Sequence, residues 1–311
     1  MAVPAPAVPY YTYGQAMKPL RHALVLVLAT AAFCQQAAPS GSKPLLLWRA
    51  TSGKHSAYLF GSLHIGDKSF YPLSPTIESA FAASDVLIVE VDTRKVDMTA
   101  MAALLMAEGM YSAGDSLWNH ISAETRKALE TYCKRAGLAA DMFAGMKPWL
   151  AAMTLSILPY QKAGMDASLG LDQHFLEEAG KKRVDQVETA EWQIRLFTSQ
   201  PPEIQEKLLA AAVRSDQDPV AESKELIAAW LSGDAARIEE RLSQHSEGPP
   251  EFSRKLLEDR NPHMADAIAH CLESTDHCFM VVGAAHLLGK EGVVELLGKR
   301  GIQVQRMNAG Q

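Results

Sequence analysis

The chain has 311 residues, with 30 Lys plus Arg against 36 Asp plus Glu for a net charge of −6, and 48% hydrophobic against 21% charged residues. That balance excludes a disordered polyelectrolyte, a collagen-like repeat and a polytopic membrane protein, and four cysteines spread along the chain exclude a small disulfide scaffold. Beyond residue 36 the remaining 275 residues carry 28 basic and 36 acidic side chains, a net of −8, so the body gives no electrostatic reason to bind nucleic acid or an anionic membrane surface.

The first element is a leader over residues 1–36. Met17, Lys18, Arg21 and His22 form a basic head, Ala23 to Cys34 follow as an apolar run interrupted only by Thr30, and small residues close the segment. These are the parts of a secretory signal peptide, and the run is shorter than the roughly 20 residues that span a bilayer. Met17 reads as the initiator, and a periplasmic or secreted mature protein without a transmembrane span is expected. Lipoprotein attachment at Cys34 is disfavoured by the bulk of Phe33.

Leu45 to Ala50 and Ala57 to Phe60 are β-prone runs separated by TSGKHS, which predicts a hairpin with His55 in the exposed turn. Ser74 followed by Pro75 starts a helix to about Ala83. VLIVEVD at 86–92 is a buried strand. Residues 96–261 read as a mostly helical insertion or cap, with Ser122 capping a helix that stops at Gly137, Pro148 opening another, and one strand at Arg183 to Val187. The end of the chain returns to strand (Cys278 to Val282), helix (Gly289 to Lys299) and strand (Ile302 to Met307). The predicted fold is therefore α/β, one domain over 45–307 whose central mixed sheet is built from N- and C-terminal segments. Cys271 and Cys278 flank a turn-like stretch and could bridge if their alpha carbons approach within about 7 Å. Cys133 is read as a buried filler within its helix.

The chemistry is carried by an internal echo. AYLFGSLHIG at 57–66 and FMVVGAAHLLG at 279–289 each follow an apolar strand with G-x-x-H. Gly61 and Gly283 let the backbone turn just past the strand, so His64 and His286 can converge over the sheet's carboxyl edge, where open α/β sheets place ligands. Within VLIVEVD, alternation puts Glu90 and Asp92 on one face. A carboxylate among apolar neighbours needs a partner: a metal ion, a histidine or an arginine would each serve. Two histidines and one glutamate match a catalytic metal site with an open position. The same groups could activate water without metal, or Glu90 could simply pair with a buried arginine while the histidines bond loop backbone.

GSLH, LIVEVD and GAAHLLGKEGVVELLGKRGIQV resemble the TraB/GumN/PrgY family, related to the Tiki metalloproteases and more distantly to erythromycin esterases and the haem-binding ChaN proteins. GLDQHF at 170–175, VETAEWQ at 187–193 and RNPHMAD at 260–266 extend the resemblance across the mature chain. It implies an EreA/ChaN-like fold, a centre of His64, Glu90 and His286, and metal-dependent hydrolysis of a peptide, with a small-molecule substrate as the wider class. The suspected cofactor is a divalent metal such as Zn, Mn or Co. The esterase-like relatives imply an assisting arginine, for which Arg260 is the candidate, with Asn261 beside it. The alternative is a non-catalytic protein holding a peptide or haem-like ligand in the same cleft. Among lesser candidates, Asp172 is read first as an N-cap, His174 as structural, and Glu188 and Gln193 as bracing their helix, with Glu188 also placed to line the cleft. Met98, Met101, Met106 and Met110 are spaced like one helix face and read as packing.

Overall fold

A computed structural model describes residues 43–310 apart from 163, 215–218, 245–247 and 275. The leader, including Met17 and Cys34, and His245 lie outside the described residues.

The two strands nearest the start of the body pair as expected. β1 (Pro44–Ser52) and β2 (His55–Ser62) form an antiparallel hairpin. Gly53 takes φ +58 in the turn, a left-handed conformation that costs glycine little. His55, expected in the turn, is instead the first residue of β2, opposite Ser52. The other strands are β3 (Val86–Val89), β4 (Arg183–Gln186), β5 (Cys278–Gly283) and β6 (Gln303–Asn308). They assemble in the order β4-β3-β5-β2-β1-β6. β2, β5, β3 and β4 run parallel, whereas β1 pairs antiparallel with both β2 and β6. The sheet is thus mixed and draws its centre from both ends of the chain, and β4 comes from inside the helical insertion.

All four residues of β3 and all six of β5 are buried, which is why they read as continuous apolar runs rather than alternating ones. Phe60 and Phe279 project to one face of the sheet and meet Phe81 and Phe175 edge-on or tilted. Met264 and Ile268 of helix Asn261–Glu273, and Val293 and Leu297 of helix Val293–Lys299, belong to the same core. That last helix is shorter than expected: Gly289 takes φ +79 and the helix starts only after its N-cap Gly292, with a separate turn of helix, Ala284–Leu287, before it.

The insertion has its own cores. Helix Ala123–Ala136 begins where Ser122 accepts a hydrogen bond from the Thr125 N–H and ends at Gly137, φ +69, the capping pair expected from sequence. Its Leu129 and Tyr132 pack with Phe143, Leu155, Leu209 and Phe252. A smaller group of Val91, Met101, Leu105, Trp149, Ala190 and Ile194 lies beside the end of β3. Cys271 and Cys278 form a disulfide with alpha carbons 6.5 Å apart, and Cys133 is free and buried. No helix among the described residues is long and apolar enough to cross a membrane.

Candidate functional site

Ser62, just after Gly61, and Gly283 end neighbouring parallel strands and are in register. His64 and His286 therefore leave the same sheet edge side by side, His286 on the short helix after β5. The strand between β5 and β4 delivers the acid, because Glu90 directly follows β3. β4 continues alongside, since the Glu188 N–H donates to the Glu90 carbonyl at 2.8 Å. Two carboxylates thus arrive next to each other by simple parallel pairing.

Glu90 is the hub. Its Oε1 accepts the Gly283 N–H at 2.7 Å and lies 3.6 Å from His64 Nε2 and 3.7 Å from His286 Nε2. Its Oε2 accepts Arg260 Nη2 at 2.6 Å and Gln193 Nε2 at 3.2 Å. Arg260 also grips Glu188 through Nε at 2.8 Å and Nη2 at 2.7 Å, and donates Nη1 to the Leu256 carbonyl. Such forked geometry suits guanidinium and no other cation.

Both imidazoles are tied back through their other nitrogen. His64 Nδ1 lies 2.8 Å from Asp172 Oδ2, and Ser62 Oγ donates to Asp172 Oδ1 at 3.0 Å. His286 Nδ1 lies 2.7 Å from Asn261 Oδ1, while Asn261 Nδ2 donates to the Glu291 carbonyl. With the Asn261 amide so fixed, its oxygen accepts, and His286 Nδ1 carries the proton. Each Nε2 is then directed at Glu90 Oε1, beyond ordinary hydrogen-bond reach.

The charges follow from burial. Burial works against the His64 imidazolium, but Asp172 and Glu90 hold its pKa up at about 9. Burial, abetted by Arg260 and His64, pushes His286 down to about 3 despite the pull of Glu90. Burial also opposes ionisation of Glu90, yet His286, Arg260, His64 and the Gly283 N–H hold its carboxyl well below the usual range. Because the folded pKa of His64 is raised, its contribution to stability is present below about 6.5 and lost as pH rises through about 9. The lowered pKa of His286 works the other way, removing stability as pH falls below about 6.5. Each is on the order of a few kcal/mol. Denaturant unfolding in a chelating buffer is expected to show maximal stability near neutrality, falling towards both pH 5 and pH 9.5; a flat profile would contradict these protonation states.

The structure brings His64, Glu90, His286, Arg260, Glu188, Asn261 and Asp172 together, with Gly61 and Gly283 at the strand ends. Asp92 is not among them: it points to Arg94 and Lys95, at 2.8 and 3.2 Å, because the chain leaves the sheet after Val89 and the alternation that placed Asp92 with Glu90 ends there. Asp172 is not an N-cap. That place falls to Gly170, where an added Cβ would come within 2.2 Å of the His64 carbonyl oxygen, so the bare backbone lets the Asp172 loop close onto His64. Thr189 caps helix Ala190–Thr198, which leaves Gln193 free to donate to both Glu90 and Glu188. Ser62 was missed by sequence reading, although its place one residue past Gly61 in GSLH marks it as facing the same edge. His174 packs against Tyr71 and Phe175, a structural role.

A Cβ at Gly283 would sit 3.1 Å from His64 Nε2 and 3.4 Å from Glu90 Oε1. Gly283→Ala is therefore expected to fold, since φ there is −50, yet to displace His64 and reduce any activity of the site roughly 10- to 100-fold. Thermal melting beside an activity assay checks both halves.

The profile described as the TraB/PrgY/gumN family matches residues 46–306. The uncharacterized protein YbaP of Shigella flexneri is 30% identical over 151 residues, covering 48% of this chain and 54% of that protein. YbaP of Escherichia coli (strain K12) is 29% identical over 171 residues, covering 50% and 62%. The chain thus spans under two thirds of either relative. No solved structure matches.

Proposed function

The chain belongs to the TraB/PrgY/gumN family, and from that membership and the site's geometry we propose that it is an exported hydrolase, periplasmic or secreted, that uses His64, Glu90 and His286 with a divalent metal to hydrolyse peptide bonds. One observation carries the reading. Two imidazole Nε2 atoms are aimed at a single oxygen of Glu90, each with its Nδ1 anchored, by Asp172 and by Asn261. Metal-binding histidines are oriented by just such outer partners.

Among the described residues no three His, Cys, Asp or Glu side chains form a ready-made metal cage. The donor chemistry nevertheless fits one ion. Ligands about 2.1 Å from a tetrahedral metal lie roughly 3.4 Å apart, against 3.6 and 3.7 Å between the nitrogens and Oε1 here. Charge fits as well. Glu90 and Glu188 are two buried carboxylates on one guanidinium and Asp172 is a third, on His64, and a divalent cation in place of the His64 proton would balance them. Such a cation, when bound, supplies Lewis acidity to a carbonyl and a more acidic water.

The chain's own groups do the rest. Arg260 and the Gly283 N–H fix both oxygens of Glu90 and keep it ionised, so Glu90 supplies charge and geometry rather than proton transfer. Asp172 and Asn261 hold the imidazoles in one tautomer. His64, whose side chain is 10% exposed against 4% for His286, lies on the side from which a substrate approaches, and Gln193 stiffens the carboxylate pair.

The test is to strip the purified protein with chelator, restore Zn, Mn or Co separately, and follow cleavage of a peptide mixture by mass spectrometry. Metal-dependent cleavage with about one ion bound per chain is expected. Absence of both metal uptake and cleavage would overturn the reading.

A further inference from the structure

Helix Met98–Gly109 is apolar almost all the way round (MTAMAALLMAEG), although only Met101, Leu105 and Gly109 are buried. A helix of that composition is ordinarily covered on all sides. Here Ala100, Ala103, Leu104 and Ala107, spaced three and four apart and so forming one stripe, face a cleft of about 550 Å³. Ala100, Ala103 and Ala107 are exposed. The opposite wall is Thr189, Ala190 and Glu191 at the start of helix Ala190–Thr198, and the inner end is Val91 and Asp92.

The position of this cleft identifies its occupant. Val91 and Asp92 immediately follow Glu90, and Thr189 and Ala190 immediately follow Glu188. The cleft therefore begins one residue along the chain from each of the two carboxylates that share Arg260, whose own side chains lie outside its lining. An extended peptide advances about 3.3–3.6 Å per residue, so a substrate whose carbonyl lies at the Glu90 cluster carries the side chain of its next or next-but-one residue to this opening. The volume is that of a small-ligand pocket; the stripe offers methyl and isobutyl groups to whatever enters, while Asp92, Lys95, Asp97, Gln186 and Glu191 also line the cleft.

We infer that the cleft between helices Met98–Gly109 and Ala190–Thr198 is the subsite for a bulky apolar side chain close to the scissile bond, so that the substrates are peptides bearing Phe, Leu or a similar residue there. The inference rests on the hydrolase reading, and its test separates the two. A set of pentapeptides with Phe or Ser walked through each position is offered to the metal-loaded protein for cleavage, and in fluorescent form to the chelated protein for binding by anisotropy. The same measurements are made on Ala103→Trp, which fills the cleft from an exposed helix position, and on Ala107→Phe, one turn further, in case the first variant misfolds.

A preference of about tenfold or more for Phe at one position, a size typical of apolar pockets, is expected in wild type and lost in the filled variants, whose handling of the Ser peptides is unchanged. Binding that discriminates Phe without any cleavage would keep the subsite and remove the hydrolase. Cleavage without discrimination, or discrimination that survives both substitutions, would overturn the subsite. If the stripe instead seats a second copy of the chain, the filled variants change sedimentation while peptide selectivity stays as in wild type, which also overturns it.

Discussion

Glu90→Gln is expected to lower peptide hydrolysis by about 10³-fold or more and to reduce bound metal from about one ion per chain to a small fraction. Oε1 of Glu90 accepts the Gly283 N–H and faces both histidines, while Oε2 accepts Arg260. An amide is acceptor at one end only. Placed one way, its NH2 confronts the Arg260 guanidinium; placed the other way, it confronts the Gly283 N–H and the protonated His64. Either placement sets donor against donor and removes the negative charge that a cation would require. The measurement is kcat/KM together with elemental analysis, beside a melting curve to show that the variant is folded. Activity within tenfold of wild type in a folded variant would show that Glu90 is a scaffold group only.

Arg260→Met is expected to have the largest effect on stability, about 3–5 kcal/mol, the scale seen when one partner of a buried ion pair is removed. Arg260, Glu90 and Glu188 are each about 5% exposed, and without the guanidinium the two carboxylates would share a buried space with only the His64 imidazolium, 3.6 Å from Glu90, to offset them. At about 2–4 °C per kcal/mol for a chain of this size, the midpoint should fall by on the order of 10 °C at pH 7. A melting temperature unchanged at pH 7 would mean that water or a bound cation already neutralises the pair. Arg260→Lys is expected to recover part of the loss, since an ammonium restores charge without the two-pronged grip.

Much of this site was legible in the chain. The two strand-then-G-x-x-H segments gave the histidines because glycine at a strand end and a side chain three positions on have local consequences. Glu90 stood out as a charge in an apolar strand. What could not be read was pairwise contact across long separations. Asp172 follows a glycine at a helix start, so the local rule made it a cap, and only the tertiary approach of Gly170 to the His64 carbonyl shows otherwise. Asp92 failed for the converse reason: alternation holds only while a strand lasts, and β3 stops three residues short of it. The short strand before Glu188 places it to line the cleft, but nothing within that segment reveals that β4 lies against β3, so the contact of Glu188 and Gln193 with Glu90's surroundings is not readable from sequence. The fold class was accessible because runs such as CFMVV are buried on both faces, while β6, half-exposed at an edge, was bounded only to within a residue.

The strand order has a bearing on biosynthesis. β2 and β3 do not pair with one another; each pairs with β5, which is not completed until residue 283. A nascent chain emerging from the ribosome can close the β1–β2 hairpin and fold parts of the insertion, but it has no central strand, and hence no shared edge for His64 and Glu90, until β5 has been made. The central sheet must therefore close late, and the edge that gathers His64, Glu90 and His286 comes into being only when the last parallel strand slots in between its two waiting neighbours.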